Sequence, residues 1–312
     1  MKKWLITILV LVVLFFAAIY FFLPRTVHDS HEVVIKANIR GVTRNILNEH
    51  NWLKWWPGKV SSDTSLHFEY AGKKYSITDK KLSSVNFFVT GEHLSAVGVI
   101  NFIPESHDSV SLQIETASPL PSNPFSRLLA YFNTKNLSGD MDVLLEKMKV
   151  FYSSNDNVYG FPVREEKVVD STLISTFSMS MGYPGTDLVY GLIDDLKKYI
   201  IANSAKETGY PMLNVSTGDS LHFLTRVAIP VDKPLPTKGN ISYKWMLGGG
   251  NILITEVKGG PGTLRNALQQ VENYSADHNR VPPAIPFFSM VTDRRQEPDT
   301  AKWVTRIYFP VE

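Results

Sequence analysis

The sequence predicts an α+β protein: an N-terminal transmembrane helix, an antiparallel sheet gripped by a long C-terminal helix, then a duplicated β-α-β-β domain with pseudo-two-fold symmetry. Three observations carry this. Trp4 to Leu23 is an apolar run with no charged residue. After it, short β-prone runs lead into apolar residues at helical spacing. Finally, Thr225-Arg226-Val227-Ala228-Ile229-Pro230-Val231 reappears as Thr305-Arg306-Ile307-Tyr308-Phe309-Pro310-Val311, and Gly182-Tyr183-Pro184-Gly185-Thr186 reappears as Gly259-Gly260-Pro261-Gly262-Thr263. The separations, 80 from Thr225 to Thr305 and 77 from Gly185 to Gly262, mark two copies of one unit.

Composition narrows the function. The chain has 312 residues, 44% hydrophobic and 20% charged, which is ordinary for a globular core. A net charge of +2, from 32 basic and 30 acidic residues well mixed along the chain, gives no basic footprint for nucleic acid, so no nucleic-acid partner is expected. The absence of cysteine removes disulfides, thiol catalysis and thiolate metal sites.

Residues 1–25 read as the anchor. Lys2 and Lys3 precede the apolar run, which as a helix would span about 30 Å, the thickness of a bilayer's hydrocarbon core. The run ends in Tyr20-Phe21-Phe22-Leu23-Pro24, without the small residues of a cleavage site, so a retained anchor is favoured over a cleaved signal. Lysines on the near side place the N-terminus in the cytoplasm and the bulk of the chain outside, as a single-pass membrane protein.

Residues 26–153 read as a first domain. Val33, Ile35, Ala37 and Ile39 alternate as in a half-buried strand. Val42, Ile46 and Leu47 suit a short helix running into Asn51-Trp52-Leu53-Lys54-Trp55-Trp56-Pro57-Gly58, an aromatic cluster closed by a turn. Runs at 66–70, 74–78, 84–90, 96–103 and 109–115 suit an antiparallel meander. Leu137, Met141, Leu144, Leu145, Met148 and Phe151 then mark a long amphipathic helix. This order of elements, with the Trp-x-x-Trp-Trp-Pro turn, resembles the SRPBCC family, the START and polyketide-cyclase type helix-grip fold. The resemblance implies a cavity between sheet and long helix that takes apolar ligands. Trp52, Trp55 and Trp56 are its candidate lining, the other reading being that they pack as apolar bulk.

Residues 154–312 read as a second domain, opening after the turn-rich Ser153-Ser154-Asn155-Asp156-Asn157. Copy one covers 159–231: a β-prone run over 163–181, a helix with Leu188, Leu192, Ile193, Leu196, Tyr199 and Ile200, and strands at 212–216 and 221–229. Copy two covers 240–312: a run over 241–258 broken by Gly248-Gly249-Gly250, a helix with Leu264, Ala267, Leu268 and Val271, and strands at 287–292 and 302–309. In each Gly-x-Pro-Gly-Thr turn, Pro presets φ at the helix start, Gly allows the turn and Thr can cap orphan amides. Neither turn has the lysine of a phosphate-binding loop or a dinucleotide fingerprint.

The doubled unit, with Glu297-Pro298-Asp299, Lys302-Trp303-Val304-Thr305 and Ile307-Tyr308-Phe309-Pro310-Val311, resembles the GyrI-like effector-binding family, which also stands behind the DNA-binding helices of some AraC and MerR regulators. That resemblance implies a groove between the halves for small organic molecules, frequently cationic and aromatic, and some relatives resemble hydrolases. The acidic residue the family carries in its last strand is Arg306 here, and a tyrosine of the preceding strand is Met290.

Strand alternation puts Val227, Ile229, Thr305, Ile307 and Phe309 on the face that the helices cover, and His222, Leu224, Arg226, Val304, Arg306 and Tyr308 on the other. Arg226 and Arg306 then occupy symmetric places where two guanidinium groups could clamp a carboxylate or phosphate, unless both are simply solvated or Glu256 cancels the charge. The candidate ligand-binding set is Arg226, Arg306, Tyr308, His222, Trp245, Glu256 and Met290. No His-Glu-x-x-His motif or Gly-x-Ser-x-Gly elbow is present, and no catalytic residue, metal or cofactor is assigned. The reading that results is a membrane-anchored, extracytoplasmic small-molecule-binding protein without turnover, its signalling partner unspecified. A hydrolase of hydrophobic or electrophilic compounds, with His222 and Glu256 as base and partner, and an interaction scaffold with empty clefts are its alternatives.

Overall fold

The computed structural model describes residues 2–61, 66–169, 171–217 and 221–312, apart from the side chains of Lys2, Lys3 and Leu5, and the chain forms two compact units, Met1–Ser154 and Asn155–Glu312.

In the first unit, α1 (Lys2–Phe22) leads into β1 (Thr26–Ile35), α2 (Ile39–Leu47) and a 3-10 turn, Glu49–Lys54. Then follow β2 (Lys59–Ser61), β3 (His67–Tyr70), β4 (Lys73–Lys81), β5 (Ser84–Gly91), β6 (Leu94–Ser106), β7 (Ser109–Pro119) and α3 (Pro124–Tyr152). Among the described residues they make an antiparallel seven-stranded sheet in the order β1-β7-β6-β5-β4-β3-β2. Period-2 patterning explains the sheet's covered face: Val85, Phe87 and Val89 of β5 are buried while the residues between them stay more exposed, and Leu112 and Ile114 of β7 are buried on the same principle.

The helix α3 starts well before the apolar stripe that begins at Leu137. Asn123 caps it, accepting from the backbone N–H of Phe125 and Ser126, and Pro124 fits the first turn, where no amide partner is needed. The early buried positions are Arg127, Ala130 and Thr134, polar or small, so this half carries no apolar periodicity to read.

The expected membrane anchor is corrected: among the described residues no helix is long and apolar enough to cross a membrane. From Phe16 onward α1 is engaged by the first unit. The Phe16 ring meets Phe125 at 5.1 Å, Tyr20 donates to the Ser122 carbonyl, and Arg127 lies over the Tyr20 ring and donates to the carbonyls of Leu23 (2.8 Å) and Pro24 (2.7 Å). The turns before Phe16 reach about 20 Å, less than the roughly 30 Å of a bilayer core. The single-pass, extracytoplasmic placement falls with the anchor, and the side chains of Lys2 and Lys3, on which the orientation rested, lie outside the described residues.

The second unit contains α4 (Asn155–Tyr159), β8 (Arg164–Lys167), β9 (Ser171–Met181), α5 (Thr186–Ala202), β10 (Met212–Thr217) and β11 (His222–Val231), then β12 (Ser242–Met246), β13 (Asn251–Lys258), α6 (Pro261–Asp277), β14 (Phe287–Met290) and β15 (Val304–Val311). Their order among the described residues is β12-β9-β11-β10-β14-β15-β13-β8, which is symmetric about the β10–β14 pair. Copy one supplies β9-α5-β10-β11 and copy two β13-α6-β14-β15, so the duplication is a structural one.

Each long β-prone run is divided, and its first part pairs with the other copy. Arg164 to Lys167 lie opposite Ile254 to Asn251, while Ser171 to Ser175 lie opposite Met246 to Ser242. The paired numbers add to 418 in the first stretch and 417 in the second, a one-residue shift in register at Gly248–Gly250, where Val168 exchanges backbone hydrogen bonds with Gly249 and Gly250. A two-stranded ribbon therefore ties the copies together. In a flat sheet β8 and β9 would stand six strand spacings apart, about 29 Å, which the few residues between them cannot bridge, so the sheet curls.

Val227, Ile229 and Ile307, each 0% exposed, lie on the helix-covered face with Ile193 and Leu196 of α5 and Ala267 of α6. Each buried Val, Leu or Ile among them contributes about 1.5–3 kcal/mol on burial. The two Gly-x-Pro-Gly-Thr turns are not superposable at their helix starts. Gly185 is the N-cap of α5, but Gly260, two positions earlier in the motif, is the N-cap of α6, and neither cap has a side-chain hydrogen bond. Thr186 and Thr263 are therefore not caps, and Thr263 instead packs against Gly259. The first glycine of each motif does keep its role: Gly182 and Gly259 adopt φ of 82° and 147°.

Candidate functional site

Residues paired across an antiparallel ladder share a face, so register builds the site. Arg306 stands opposite Glu256 on β13 and Ser289 on β14, and Tyr308 stands opposite Ile254 and Phe287. Arg164 on β8 faces Ile254 in turn. All project away from α6, whose side of β15 is occupied by Ile307 and Phe309. Arg306, Glu256, Tyr308, Ile254 and Arg164, together with Pro162, Glu166 and Thr255, line a trough of about 550 Å³, a volume within the range of small-molecule sites.

At its centre Arg306 Nε donates to Glu256 Oε2 at 2.9 Å. The Glu256 carboxylate raises the Arg306 pKa above its ordinary value, with Tyr308 adding to the effect. Beside the pair, Tyr308 stacks on Phe287, centroids 4.9 Å apart and planes within 4°. Among the described residues neither Arg164 nor Glu166 belongs to an ion pair, so the trough holds two guanidinium groups and two carboxylates, with one pair joined.

The equivalent position in copy one differs. Arg226 stands opposite Asn214 on β10 and Phe177 on β9, and its Nη1 donates to Asn214 Oδ1 (3.2 Å) and Ser216 Oγ (3.0 Å). Among the described residues no carboxylate pairs with it. Three strand spacings and a two-residue offset put the Cα atoms of Arg226 and Arg306 about 16 Å apart in a flat sheet. Arg306 turns toward β13 and Arg226 toward β10, so the structure does not bring them together as a clamp.

The remaining candidates separate. His222 lies on the Arg226 face of β11, opposite Met181, away from Glu256, so the base-and-partner arrangement does not form. Met290 is corrected: its ladder partner is Thr305, and it is buried among Ile193 and Leu213 in the core under α5. Trp245 is also corrected. It pairs with Thr172 of β9, which shares a face with buried Ile174 and stands opposite Val231, a residue of the helix-side core, so Trp245 is on the helix-bearing face, 62% exposed. Arg164, Glu166, Ile254 and Phe287 were missed because their membership depends on the ribbon's register, which no single run of sequence reveals.

In the first unit, Trp52, Trp55 and Trp56 converge as expected between sheet and α3, but they fill the space. All three are buried, and the hollow they line with Phe68, Tyr75 and Met148 amounts to about 10 Å³, the scale of one water. Trp52 Nε1 donates to the Ile46 carbonyl (2.8 Å) and Trp56 Nε1 to the Glu69 carbonyl (3.1 Å). Trp55 Nε1 and the Tyr152 hydroxyl are buried near one another without a well-formed hydrogen bond, and burial pushes the Tyr152 pKa up. The tryptophans are packing here.

A polar brace joins β1 to α3. His31 Nδ1 meets Asp142 Oδ1 at 2.6 Å, and its Nε2 meets Asp29 Oδ2 at 2.9 Å and Ser138 Oγ at 3.2 Å. Burial alone would lower the His31 pKa, but the two carboxylates outweigh it and hold it above its ordinary value. Burial likewise would raise that of Asp29, and the bonds from Ser138 and His31 outweigh it and lower it. Each ring nitrogen already faces a carboxylate, Asp142 at Nδ1 and Asp29 at Nε2, so the geometry is that of a charge brace and not of a serine–histidine–aspartate relay. A second brace is the Lys73–Asp140 pair at 2.7 Å, both side chains largely buried. Among the described residues no group of three or more His, Asp and Glu side chains is arranged to hold a metal ion.

No family model matches the chain, and no curated protein matches it. Among solved structures it is similar to EcmrR in an EcmrR–DNA complex, at 16% identity and a TM-score of 0.44, covering 58% of this chain and 69% of that one. It is also similar to the EcmrR C-terminal domain, at 16% identity and a TM-score of 0.43, covering 49% of this chain and 98% of that one. A third likeness is to SAV2435 bound to tetraphenylphosphonium, at 12% identity and a TM-score of 0.33, covering 48% and 94%. Likenesses this distant assign no role to any residue.

Proposed function

We propose that the protein binds a small molecule without chemical turnover, in the open-face trough of the second unit. One observation carries the reading: Arg306 and Glu256 form a pair beside the Tyr308–Phe287 stack, in a trough large enough for a ligand and lined by further charges at Arg164 and Glu166. Sites of this kind combine an apolar or aromatic surface with a few placed polar groups. The first unit contributes no ligand pocket to this reading, its aromatic hollow being filled.

A thermal-shift screen of the full chain against anionic, cationic, zwitterionic and neutral aromatic compounds tests it, since a ligand that favours the native state raises stability. Hits whose shifts shrink in Arg306→Ala and Glu256→Ala and persist in Arg226→Ala are expected. Hits indifferent to both trough variants would remove the site.

A further inference from the structure

The geometry points to a ligand class: the trough takes a zwitterion that carries a planar ring, with the ligand's carboxylate on Arg306 and Arg164, its ammonium on Glu256 and Glu166, and its ring against Tyr308. This rests on the proposed site and adds what selects its occupant.

The trough's four charged side chains balance. Two guanidinium groups and two carboxylates line one hollow, so its field has no net sign to attract a simple ion, but it varies in sign across the surface and favours a ligand that carries both charges. The central pair also leaves groups to spare. Arg306 uses Nε toward Glu256 Oε2 and its guanidinium also interacts with Tyr308, while Glu256 Oε1 has no hydrogen-bond partner among the described residues. A guanidinium's outer edge suits a carboxylate, and a carboxylate's second oxygen accepts from an ammonium without breaking the existing bond.

A ligand of one sign fares worse. A bare anion meets Glu256 and Glu166 as well as the arginines, and a bare cation meets Arg306 and Arg164 as well as the carboxylates. The aromatic requirement comes from the floor. The Tyr308 ring, stacked on Phe287, is held in a fixed plane next to the pair, and Ile254 extends the apolar surface beside it. A ring laid there stacks at little ordering cost, because the floor is already assembled.

The test is calorimetric titration of the full chain with phenylalanine, N-acetylphenylalanine and phenylalaninamide, which share a ring and carry both charges, the negative one and the positive one. Phenylalanine is expected to bind about tenfold more tightly than either analogue. In Glu256→Gln the preference over the N-acetyl compound should fall several-fold, and in Arg306→Gln the preference over the amide should fall similarly, with thermal unfolding of each variant confirming that it folds. If either analogue matches phenylalanine, or if phenylalanine does not bind, the zwitterion assignment is overturned. The site itself fails separately: it stands if any compound of the wider screen depends on Arg306 and Glu256, and falls if none does.

Discussion

The two halves of the second unit share a backbone and differ in charge. Arg226 and Arg306 occupy equivalent places in β11 and β15, and each faces the corresponding strand of its own copy, β9 or β13. One meets Phe177 there and settles for neutral Asn214 and Ser216, while the other meets Glu256 and pairs with it. The β9 stripe beside Arg226 continues through exposed Met179 and Met181, whereas the corresponding face of copy two is lined by ionised groups. The duplication preserved the positions that build the core and left the open face free to diverge. Symmetry of the fold is therefore a poor guide to symmetry of the site.

The largest effects should fall where the copies agree. Val227→Ala and Ile307→Ala empty equivalent fully buried positions, and both should destabilise the protein in denaturant unfolding, by about 2–5 kcal/mol at Ile307 and somewhat less at the smaller Val227. A loss at one position with none at the other would break the equivalence of the two cores.

Outside the repeat, the His31 brace offers a charge pair with no symmetry mate. Its folded pKa is raised, so its stabilising contribution is complete below the unfolded value of about 6.5 and is lost as pH rises through the folded value. The melting temperature of the full chain should fall over that range, and His31→Gln should flatten the fall. An unchanged pH profile in the variant would show that the brace does not titrate with folding.

Smaller still is a transplant of the copy-two pair. Phe177→Glu sets a carboxylate opposite Arg226, and because both sites are partly exposed the gain should be at most about 1 kcal/mol and should shrink in added salt. A gain that survives 1 M salt would point to packing instead of charge. The smallest effect expected is on stability in Arg226→Ala and Arg306→Ala, each within about 1 kcal/mol of the parent protein in chemical unfolding, so that any change in ligand binding can be read without a folding correction.

Much of this architecture is legible along the chain. The repeated strand Thr225–Val231 and Thr305–Val311 located the pseudo-symmetry, and alternation alone assigned Ile307 to the core and Arg306 to the open face. Three things were hidden. The start of α3 was concealed by polar and small residues at its buried positions. The ribbon was concealed because β8 pairs with β13 and β12 with β9, contacts that local periodicity cannot report. The site's charge balance was concealed for the same reason, since Arg164 and Glu166 enter the trough through that pairing. Resemblance misled at Met290, where a position read as ligand-facing is core, and the apolar run at the N-terminus read as a bilayer span although its last turns pack against Phe125 and Arg127.

The claim that the ligand belongs to the copy-two arginine and not to its copy-one counterpart is tested most directly by calorimetry on the full chain and its Arg226→Ala and Arg306→Ala variants, using the tightest compound from the screen. Binding weakened about tenfold or more by Arg306→Ala and changed less than about twofold by Arg226→Ala is the predicted result, a difference of about 1.4 kcal/mol or more for the first. Weakening by Arg226→Ala with Arg306→Ala unaffected would place the ligand on the other half and contradict the account.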